Sequence, residues 1–385
     1  MSLYVAKFGG SSIATPVRIE RVCRIISRLI SAGHRIVVVT SAMQGITNQL
    51  IELTRSFGSC AFDREYDAVI SSGEQVAAGL LAICLCSIGF KAKSLNAWQV
   101  PIGVNGEFSN ATICSVEGQT IINILNDGII PIITGFQGIS DKMDICTIGR
   151  GGSDATACAV AKTIDADECL IYTDVNGVYS ADPRIVLPAK RLSEVAYDDM
   201  LALADGGAAV LQAKSILIAK EHNVKLRVLS SFSKNGETRV TEQTNYVSIR
   251  HKVAGIAHNF ALSIVAFNDD SAISKVINHL QHVDLIQIER SNFFLLPKSQ
   301  QCELEKFLNK SRIPSKIDND VGVITIVVGW QEEMSTLLEE IITKITGCHN
   351  QIKCVFSRDN SISVVLPFQQ TYDALNVLHR HFFGQ

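Results

Sequence analysis

The chain has 385 residues, of which 47% are hydrophobic and 19% are charged, and its formal net charge is −3. This length exceeds what one hydrophobic core usually serves, so we expect two or three domains. A nearly neutral charge gives no electrostatic reason to expect binding to nucleic acid or to an anionic membrane. The longest uncharged run, residues 75–90, is shorter than a membrane span, so it predicts a buried helix.

The cysteine pattern indicates the compartment. Eleven cysteines are scattered along the chain without a C-x-x-C pair, and most of them lie in apolar runs. Such thiols usually act as small hydrophobic residues. The amino end predicts a strand and lacks the charged and apolar regions of a signal peptide. We therefore expect free thiols in a reducing cytoplasm.

The first predicted elements are a strand, a glycine turn and a helix. Leu3–Phe8 is an apolar run typical of a buried strand, and Gly9 and Gly10 follow it directly. Thr15 and Pro16 then form a typical N-cap and first-turn pair before apolar residues recur at helical spacing.

Lys7 lies inside this predicted strand. A buried lysine needs a partner, so a solvated surface charge is a poor explanation for it. A lysine at a strand end beside bare glycine amides resembles a phosphate cradle, although the chain contains no G-x-x-x-x-G-K-[ST] pattern.

Short apolar strands then alternate with helices. Further strands are predicted at residues 36–39, 91–95, 129–134 and 168–173, and Ser72–Glu74 falls within a predicted helix. This alternation predicts a mainly parallel sheet with helices on both faces. Ligands of such sheets bind beyond the carboxyl ends of the strands.

Residues 149–155 read Gly-Arg-Gly-Gly-Ser-Asp-Ala. Arg150 can fork onto a carboxylate or phosphate, the glycines expose backbone amides, and Asp154 is predicted to open a helix over Ala155–Lys162. Taken alone, these residues fit two alternatives equally, an anion site or a glycine-rich turn with an aspartate N-cap.

Residues 173–184 form a second polar loop, which begins at a predicted strand end and turns at Asn176-Gly177. It offers two carboxylates, an aromatic ring and a guanidinium, the groups needed to hold a purine nucleoside and its phosphates. Asp-Pro and Asn-Gly by themselves mark only turns.

Beyond Thr244 the pattern changes. Strand, helix, two strands and helix are predicted twice, starting at residues 253 and 321, at a spacing of about seventy residues. This repeat predicts a tandem of small α+β modules, with a boundary near residues 240–250.

Together these stretches resemble the aspartokinase branch of the amino acid kinase family over about residues 3–240. The matching motifs are Lys7–Ser12, Gly45–Asn48, Ser72–Glu74, Gly135–Gly138, Gly149–Asp154 and Thr173–Arg184. The resemblance implies an α/β fold with a mainly parallel sheet sandwiched by helices, followed by two small α+β ACT-like modules. It implies a catalytic domain at residues 1–243, a first module at 244–317 and a second at 318–385.

The resemblance also implies an activity, the ATP-dependent phosphorylation of L-aspartate to 4-phospho-L-aspartate, which opens lysine, threonine and methionine biosynthesis. It implies ATP and Mg²⁺ as cofactors, with no metal-binding residue assigned, and a homodimer or higher homo-oligomer joined through the modules. Lys7 and Asp154 would be catalytic. The residues that would bind ATP are Lys7, Gly9, Gly10, Ser11, Thr173, Asp174, Tyr179 and Arg184. The residues that would bind aspartate are Thr47, Glu74, Arg150 and Ser153.

Two departures from the family pattern leave alternatives open. Ala209 stands where the family usually has a lysine near the phosphates, and Lys214 follows five residues later. The first module reads Phe267-Asn268-Asp269-Asp270-Ser271, without the usual glycine turn, so no effector is assigned. A catalytically weak amino-acid sensor is one alternative. A sister kinase acting on glutamate, acetylglutamate or carbamate is another.

Overall fold

The structure is a computed structural model that describes residues 1–57, 64–242, 253–267, 273–276, 286–287, 293–329 and 334–384. The chain divides into two units. The first unit consists of Met1–Val178, Arg191–Leu201 and Ala209–Asn245, and the second of Tyr179–Lys190, Ala202–Ala208 and Tyr246–Gln385.

The first unit contains twelve of the described strands. They are β1 (Leu3–Phe8), β2 (Arg35–Thr40), β3 (Ala92–Leu95), β4 (Ile102–Asn105), β5 (Thr112–Val116), β6 (Ile130–Thr134), β7 (Gln137–Ile139), β8 (Ile145–Thr147), β9 (Glu168–Thr173), β10 (Glu194–Ala196), β11 (Leu226–Ser230) and β12 (Glu237–Thr241). The described helices up to residue 221 are α1 (Pro16–Ser31), α2 (Ile46–Arg55), α3 (Arg64–Ile70), α4 (Ser72–Ser87), α5 (Gly118–Asn126), α6 (Gly152–Thr163), α7 (Tyr197–Asp205) and α8 (Ala213–Glu221).

Eight of these strands form the central sheet, in the order β10, β12, β11, β9, β1, β2, β6, β3. All neighbouring pairs in it are parallel except β11 and β12. The carboxyl ends of β9, β1, β2 and β6 therefore lie side by side at one edge, and β1 is the strand from which the chain proceeds in both directions across the sheet. Ligands of open α/β sheets bind at such a switch point.

The two faces of the sheet are set by the alternation of side chains along each strand. Phe8 of β1 points to the face covered by α1 and α4, where it stacks on Tyr172 and joins a large hydrophobic core cluster. Lys7 therefore points to the opposite face, and there it contacts Asp154 of α6. The mainly parallel sheet with helices on both faces is confirmed.

Local signals located the elements well, with one correction. Thr15 caps α1, its hydroxyl accepting from the Arg18 amide, and Pro16 is the first residue of the helix. The prediction that Asp154 caps a helix over Ala155–Lys162 is wrong, because α6 begins at Gly152. Its cap is Gly151, whose φ of 72° suits a residue without a Cβ atom. Asp154 thus lies within the first helical turn.

One helical run in the described residues, Arg64–Ser87, is long and apolar enough to cross a membrane by length and composition alone. It carries the buried acids Asp67 and Glu74, and Leu81 and Leu85 belong to the core of the first unit. Its second half is the helix that the sequence predicted over residues 75–90, but only one face of it is buried, because Val76 and Ile83 are 57% and 68% exposed.

The second unit contains two four-stranded sheets, each with helical cover. Its strands are β13 (Val253–Asn259), β14 (Leu262–Phe267), β15 (Ile286–Gln287), β16 (Phe293–Pro297), β17 (Ser315–Asp318), β18 (Val321–Val328), β19 (Cys354–Arg358) and β20 (Ser361–Pro367). Its described helices of eight or more residues are α9 (Gln301–Ser311), α10 (Met334–Thr346) and α11 (Phe368–Phe383). The sheet orders are β13, β18, β20, β19 and β15, β16, β14, β17.

This pairing departs from the predicted boundary between the modules at 317/318. The predicted single strand over residues 253–267 is two strands, and β13 pairs with β18 while β14 pairs with β16 and β17. Strand β13, which the sequence analysis assigned to the first module, therefore lies in the same sheet as β18, β19 and β20 of the second module. Hydrophobic content did not reveal the break, because Val253–Ala257 and Leu262–Phe267 are almost equally apolar. Residues 268–271 of the first module lie outside the described residues.

Candidate active site

The glycine turn after β1 fits closely between two neighbouring strand ends. The Gly9 amide donates to the Tyr172 carbonyl of β9 at 3.2 Å. A Cβ atom on Gly10 would lie 2.7 Å from the Ala42 carbonyl oxygen beyond β2, so only glycine fits there. Ser11 belongs to the 3₁₀ turn Gly10–Ile13. The turn thus brings bare backbone close to the place where a ligand of this sheet would lie.

Lys7 and Asp154 form an ion pair at this edge. Lys7 Nζ lies 2.6 Å from Asp154 Oδ1, and the two side chains are 11% and 9% exposed. The prediction that buried Lys7 has a partner, and that Asp154 orients it, agrees with this geometry. Because the pair is nearly dry, its charges are weakly screened, so an anion approaching from the Lys7 side is attracted more strongly than it would be in water.

Ser153 and Asp154 occupy the first turn of α6, whose positive end favours negative charge. A Cβ atom on Gly135 would lie 2.7 Å from Ser153 Cβ, so the loop after β6 packs directly on this turn. On Gly151, a Cβ atom would overlap the side chain of Gln212. Glycines therefore let the amino end of α6 approach the ends of β1 and β6.

Arg150 lies two residues before α6 in an exposed position. Within the residues that the structure describes, it forms no ion pair with an acidic side chain. A guanidinium in this state is available to fork onto a carboxylate.

Glu74 reaches the same region from the first turn of α4. Its Oε1 accepts the Ala42 amide at 2.9 Å, and its Oε2 is buried without a hydrogen-bond partner among the described residues. Burial, partly offset by the hydrogen bond from Ala42, raises the pKa of Glu74 to about 7. Thr47, half-buried in the first turn of α2, follows Ile46, which packs against Gly73. Glu74 and the Gly10 turn therefore contact the same residue, Ala42.

Thr173 is the last residue of β9, on the other side of β1, and Asp174 follows it. The Thr173 hydroxyl donates to Asp174 Oδ1 at 3.1 Å, and the Ser231 amide donates to the Thr173 carbonyl at 3.0 Å. Asp174 is exposed. The strand order thus places these polar groups beside the glycine turn.

Tyr179 and Arg184 belong to the second unit, and their assignment to the nucleotide stays a prediction. Arg184 forks onto Asp182, with Nη2 to Oδ2 at 2.7 Å and Nε to Oδ1 at 3.0 Å. This hydrogen bonding holds the pKa of Asp182 below its usual range.

Comparison with known proteins identifies the family. The profile of the amino acid kinase family matches residues 2–230. The chain is 41% identical over 259 residues to an aspartate kinase of Stutzerimonas stutzeri, a match that covers 67% of this chain and 63% of that protein. It is 32% identical over 399 residues to an aspartokinase of Rickettsia conorii, covering 99% of both chains. The chain belongs to the aspartokinases of the amino acid kinase family.

Its fold agrees with a solved aspartokinase as well. The crystal structure of Escherichia coli aspartokinase III in complex with aspartate and ADP superposes with a TM-score of 0.80 at 22% identity, covering 98% of this chain and 99% of that one. At this identity the likeness supports the fold alone.

Lys214 is the cation nearest in sequence to Ala209, the position at which the family resemblance leads us to expect a lysine. Its Nζ donates to the Ile148 carbonyl at 2.8 Å and to Asn110 Oδ1 at 2.6 Å. Helix α8 therefore faces the segment that leads into Gly149 and Arg150. Ala209 itself is exposed in a turn before α8.

Asp67 is a buried acid that sequence reasoning missed. Its Oδ2 accepts the amides of Ser109 and Thr147 at 2.8 and 2.6 Å, and its Oδ1 accepts their hydroxyls at 2.8 and 2.9 Å. It is fully buried. These bonds fix the end of β8, three residues before Arg150. The available signal was an aspartate followed by the apolar run Ala68-Val69-Ile70 within a predicted helix.

We expect Asp67→Asn to destabilise the first unit by about 2 to 3 kcal/mol, because the four donors that converge on this buried carboxylate lose their charged acceptor, and the NH2 group of asparagine faces hydroxyls that now donate. Urea denaturation followed by circular dichroism measures the loss. Asp141→Asn, at an exposed turn, is the matched control and should change stability little. Equal stability of the two variants would show that the Asp67 bonds contribute nothing net.

Proposed function

We propose that this protein transfers the γ-phosphoryl group of ATP to the side-chain carboxylate of L-aspartate, giving 4-phospho-L-aspartate and ADP. The observation that carries the proposal is the buried Lys7–Asp154 pair at the end of β1, between the glycine turn and the amino end of α6. Membership in the aspartokinases supports the choice of aspartate over glutamate, acetylglutamate or carbamate.

The site residues suit a small dicarboxylic amino acid. Arg150 would fork onto one carboxylate, Ser153 and Thr47 would donate to the other, and Glu74 would hold the ammonium group. The unpartnered Oε2 atom of Glu74 supports the last assignment, because a buried acceptor without a partner is costly until a donor arrives.

Catalysis needs no general base in this proposal. The side-chain carboxylate of aspartate is already ionised near pH 7, so the protein has to align the two substrates and offset charge. Lys7 would stabilise the negative charge that develops on the phosphoryl oxygens, and Asp154 would hold the ammonium group of Lys7 in place.

Mg²⁺ would reach this site with ATP. An ion that arrives in this way is coordinated mainly by phosphates and water. Bound there, the ion would add positive charge at the transferred phosphoryl group. Lys7 and the bare amides of the glycine turn remain the groups that this chain itself contributes.

The wider context is also part of the proposal. The reaction would open lysine, threonine and methionine biosynthesis in the cytoplasm, in keeping with the ten cysteines of the described residues, which are all free thiols. Residues 1–243 would form the catalytic domain. The two sheets of the second unit would be the cores of ACT-like modules that join two or more copies of the chain. Strand β13 would then belong to the module that contains β18, β19 and β20.

A coupled assay of ADP release tests the activity. Rates are compared for aspartate, glutamate and acetylglutamate with MgATP, each with and without lysine. We expect ADP release that depends on aspartate and is much slower with the other two acceptors. ATP binding without ADP formation at saturating aspartate would contradict the proposal.

The raised pKa of Glu74 predicts a pH dependence. Below about pH 7 the carboxyl group of the free enzyme is protonated and no longer attracts an ammonium group, so kcat/KM for aspartate should fall about tenfold per pH unit. A pH-rate series measures this, and Glu74→Gln should lower kcat/KM and flatten that limb. An unchanged acid limb in Glu74→Gln would assign the titration to another group.

The same shift predicts a stability effect of the opposite sign to that of most acids. Between the ordinary pKa of 4.5 and about 7, the folded protein holds a proton on Glu74 that the unfolded chain releases. Stability therefore falls as pH rises through this window. Urea midpoints of the wild type, compared with those of Glu74→Gln from pH 5 to pH 8, should show this loss only in the wild type.

A catalytically weak amino-acid sensor is the second candidate, because Ala209 removes a cation that the family usually has. Ala209→Lys separates the two: a rise in kcat of about 100-fold would support the sensor, and a rise of a few-fold at most would support the enzyme. Lys142→Ala, at an exposed turn, controls for a general change of surface charge.

A further inference from the structure

A groove on the α1 side of the first unit lies outside the proposed active site. It has a volume of about 750 Å³ and lies between α1 and the loop that connects β11 to β12. Its apolar floor includes Ile25, Leu29 and Leu229, and Tyr172 contributes an aromatic wall. A cavity of this size accommodates a small organic ligand.

The groove is positively charged. Arg21, Arg24 and Arg28 recur at helical spacing along α1 and line one side, and Lys234 lines the other. Glu237 is the only acid in the lining, and its carboxylate already contacts Arg227 at 3.3 Å and Arg239 at 3.5 Å.

The arginines on the exposed face of α1 have few acidic neighbours on the same helix. The helix sequence contains four arginines and one acid, Glu20, whose carboxylate lies 3.9 Å from Arg24 with both side chains more than 60% exposed. Among the described residues, Arg28 and Lys234 form no ion pair. A solvated helix face would usually alternate charges, because like charges three or four residues apart repel. An anion in the groove would remove this repulsion.

The loop between β11 and β12, which forms one side of the groove, is hydrogen-bonded to the turn that follows Gly9 and Gly10. Arg18 and Arg21 lie over the ring of Phe232, at 5.1 and 5.6 Å from its centroid. The next residue back, Ser231, donates from its hydroxyl to Ser12 Oγ at 2.9 Å and from its amide to the Thr173 carbonyl. Arg18 also donates to the Ser11 carbonyl at 2.7 Å.

We infer that this groove binds a small organic phosphate, with its apolar part on Ile25, Leu29 and Leu229 and its phosphate among Arg21, Arg24, Arg28 and Lys234. A phosphate bound in the groove holds the loop between β11 and β12, which contains Phe232, against α1. Through Ser231 and Ser12 it thereby restrains the glycine turn, and it tightens nucleotide binding there. The second half of this inference depends on the proposed function, whereas binding in the groove does not.

Isothermal titration with phenyl phosphate, inorganic phosphate and phenol tests the binding. The Lys7→Met background prevents phenyl phosphate from being held by the Lys7 charge. We expect phenyl phosphate to bind more tightly than either fragment, and Arg24→Gln with Arg28→Gln to weaken it at least about tenfold. The control pair Arg55→Gln with Lys142→Gln removes two exposed charges elsewhere and should leave binding unchanged. Equal affinity in the groove variant and the control pair, or no binding of phenyl phosphate, would overturn the inference.

The coupling has its own measurement. In the enzyme with Lys7 intact, KM for ATP at saturating phenyl phosphate should be lower than in the Arg24→Gln, Arg28→Gln variant at the same concentration, where only competition for Lys7 remains. Binding to the groove with the same KM for ATP in both enzymes would refute the coupling. Absence of any ADP release would refute the proposed function and leave the titration result standing.

Discussion

Replacing Lys7 with methionine should lower kcat by about 100- to 1,000-fold, the range expected when a preorganised charge at a developing anion is lost. Methionine keeps most of the length of the side chain, and the strand around it remains apolar on both sides. KM for aspartate should change little, since Lys7 is assigned to the phosphoryl group. Steady-state ADP release over a grid of ATP and aspartate concentrations separates the two parameters.

Stability has to be separated from rate in this experiment. Lys7→Met leaves Asp154 buried without its partner, which should cost about 3 kcal/mol. Lys7→Met with Asp154→Asn removes the buried charge, so it should recover stability without recovering the rate. Lys93→Met, on an exposed position of β3, is the matched control and should behave as the wild type. A fully active Lys7→Met variant would end the assignment of Lys7 to catalysis.

Much of the first unit was predictable because its signals are local. The apolar run before Gly9, the Thr15-Pro16 cap and the glycine cluster after residue 148 each lie within a few residues of the element that they define. Strands that alternate with helices along the chain form a parallel sheet, so the carboxyl ends of β1, β2, β6 and β9 are expected at one edge. These strand ends then bring Lys7, Thr173 and the amino end of α6 together, which explains how motifs as distant in the chain as residues 7 and 173 could be assigned to one site.

What could not be predicted depends on contacts between distant residues. The bonds of Asp67 join residues 42 and 80 positions away, and the apolar run after Asp67 indicates its burial but not its partners. The pairing of β13 with β18 is likewise a choice among similar apolar strands, made by the packing of the second unit. The pKa of Glu74 depends on its burial beside Ala42. The motif Ser72-Gly73-Glu74 therefore identified Glu74 as a site residue but did not predict its raised pKa.

Arg150→Ala should raise KM for aspartate about 10- to 100-fold and leave kcat and KM for ATP nearly unchanged, because a charge-assisted contact to a carboxylate contributes about 1.5 to 3 kcal/mol. Arg150 is exposed and forms no ion pair with the acids of the described residues, so its removal should not disturb folding. Initial rates over a wide range of aspartate concentrations measure the effect.

Arg150→Lys tests whether the fork matters or the charge alone. Lysine keeps one positive charge but cannot make two parallel bonds to a carboxylate, so we expect a KM between those of the wild type and Arg150→Ala. Lys142→Ala, at another exposed turn of the same unit, should leave KM unchanged. If Arg150→Ala instead raised KM for ATP and spared that for aspartate, the guanidinium would belong to the phosphate site. The amino end of α6 would then bind the nucleotide, since both substrates compete for the positive charge gathered at this edge of the sheet.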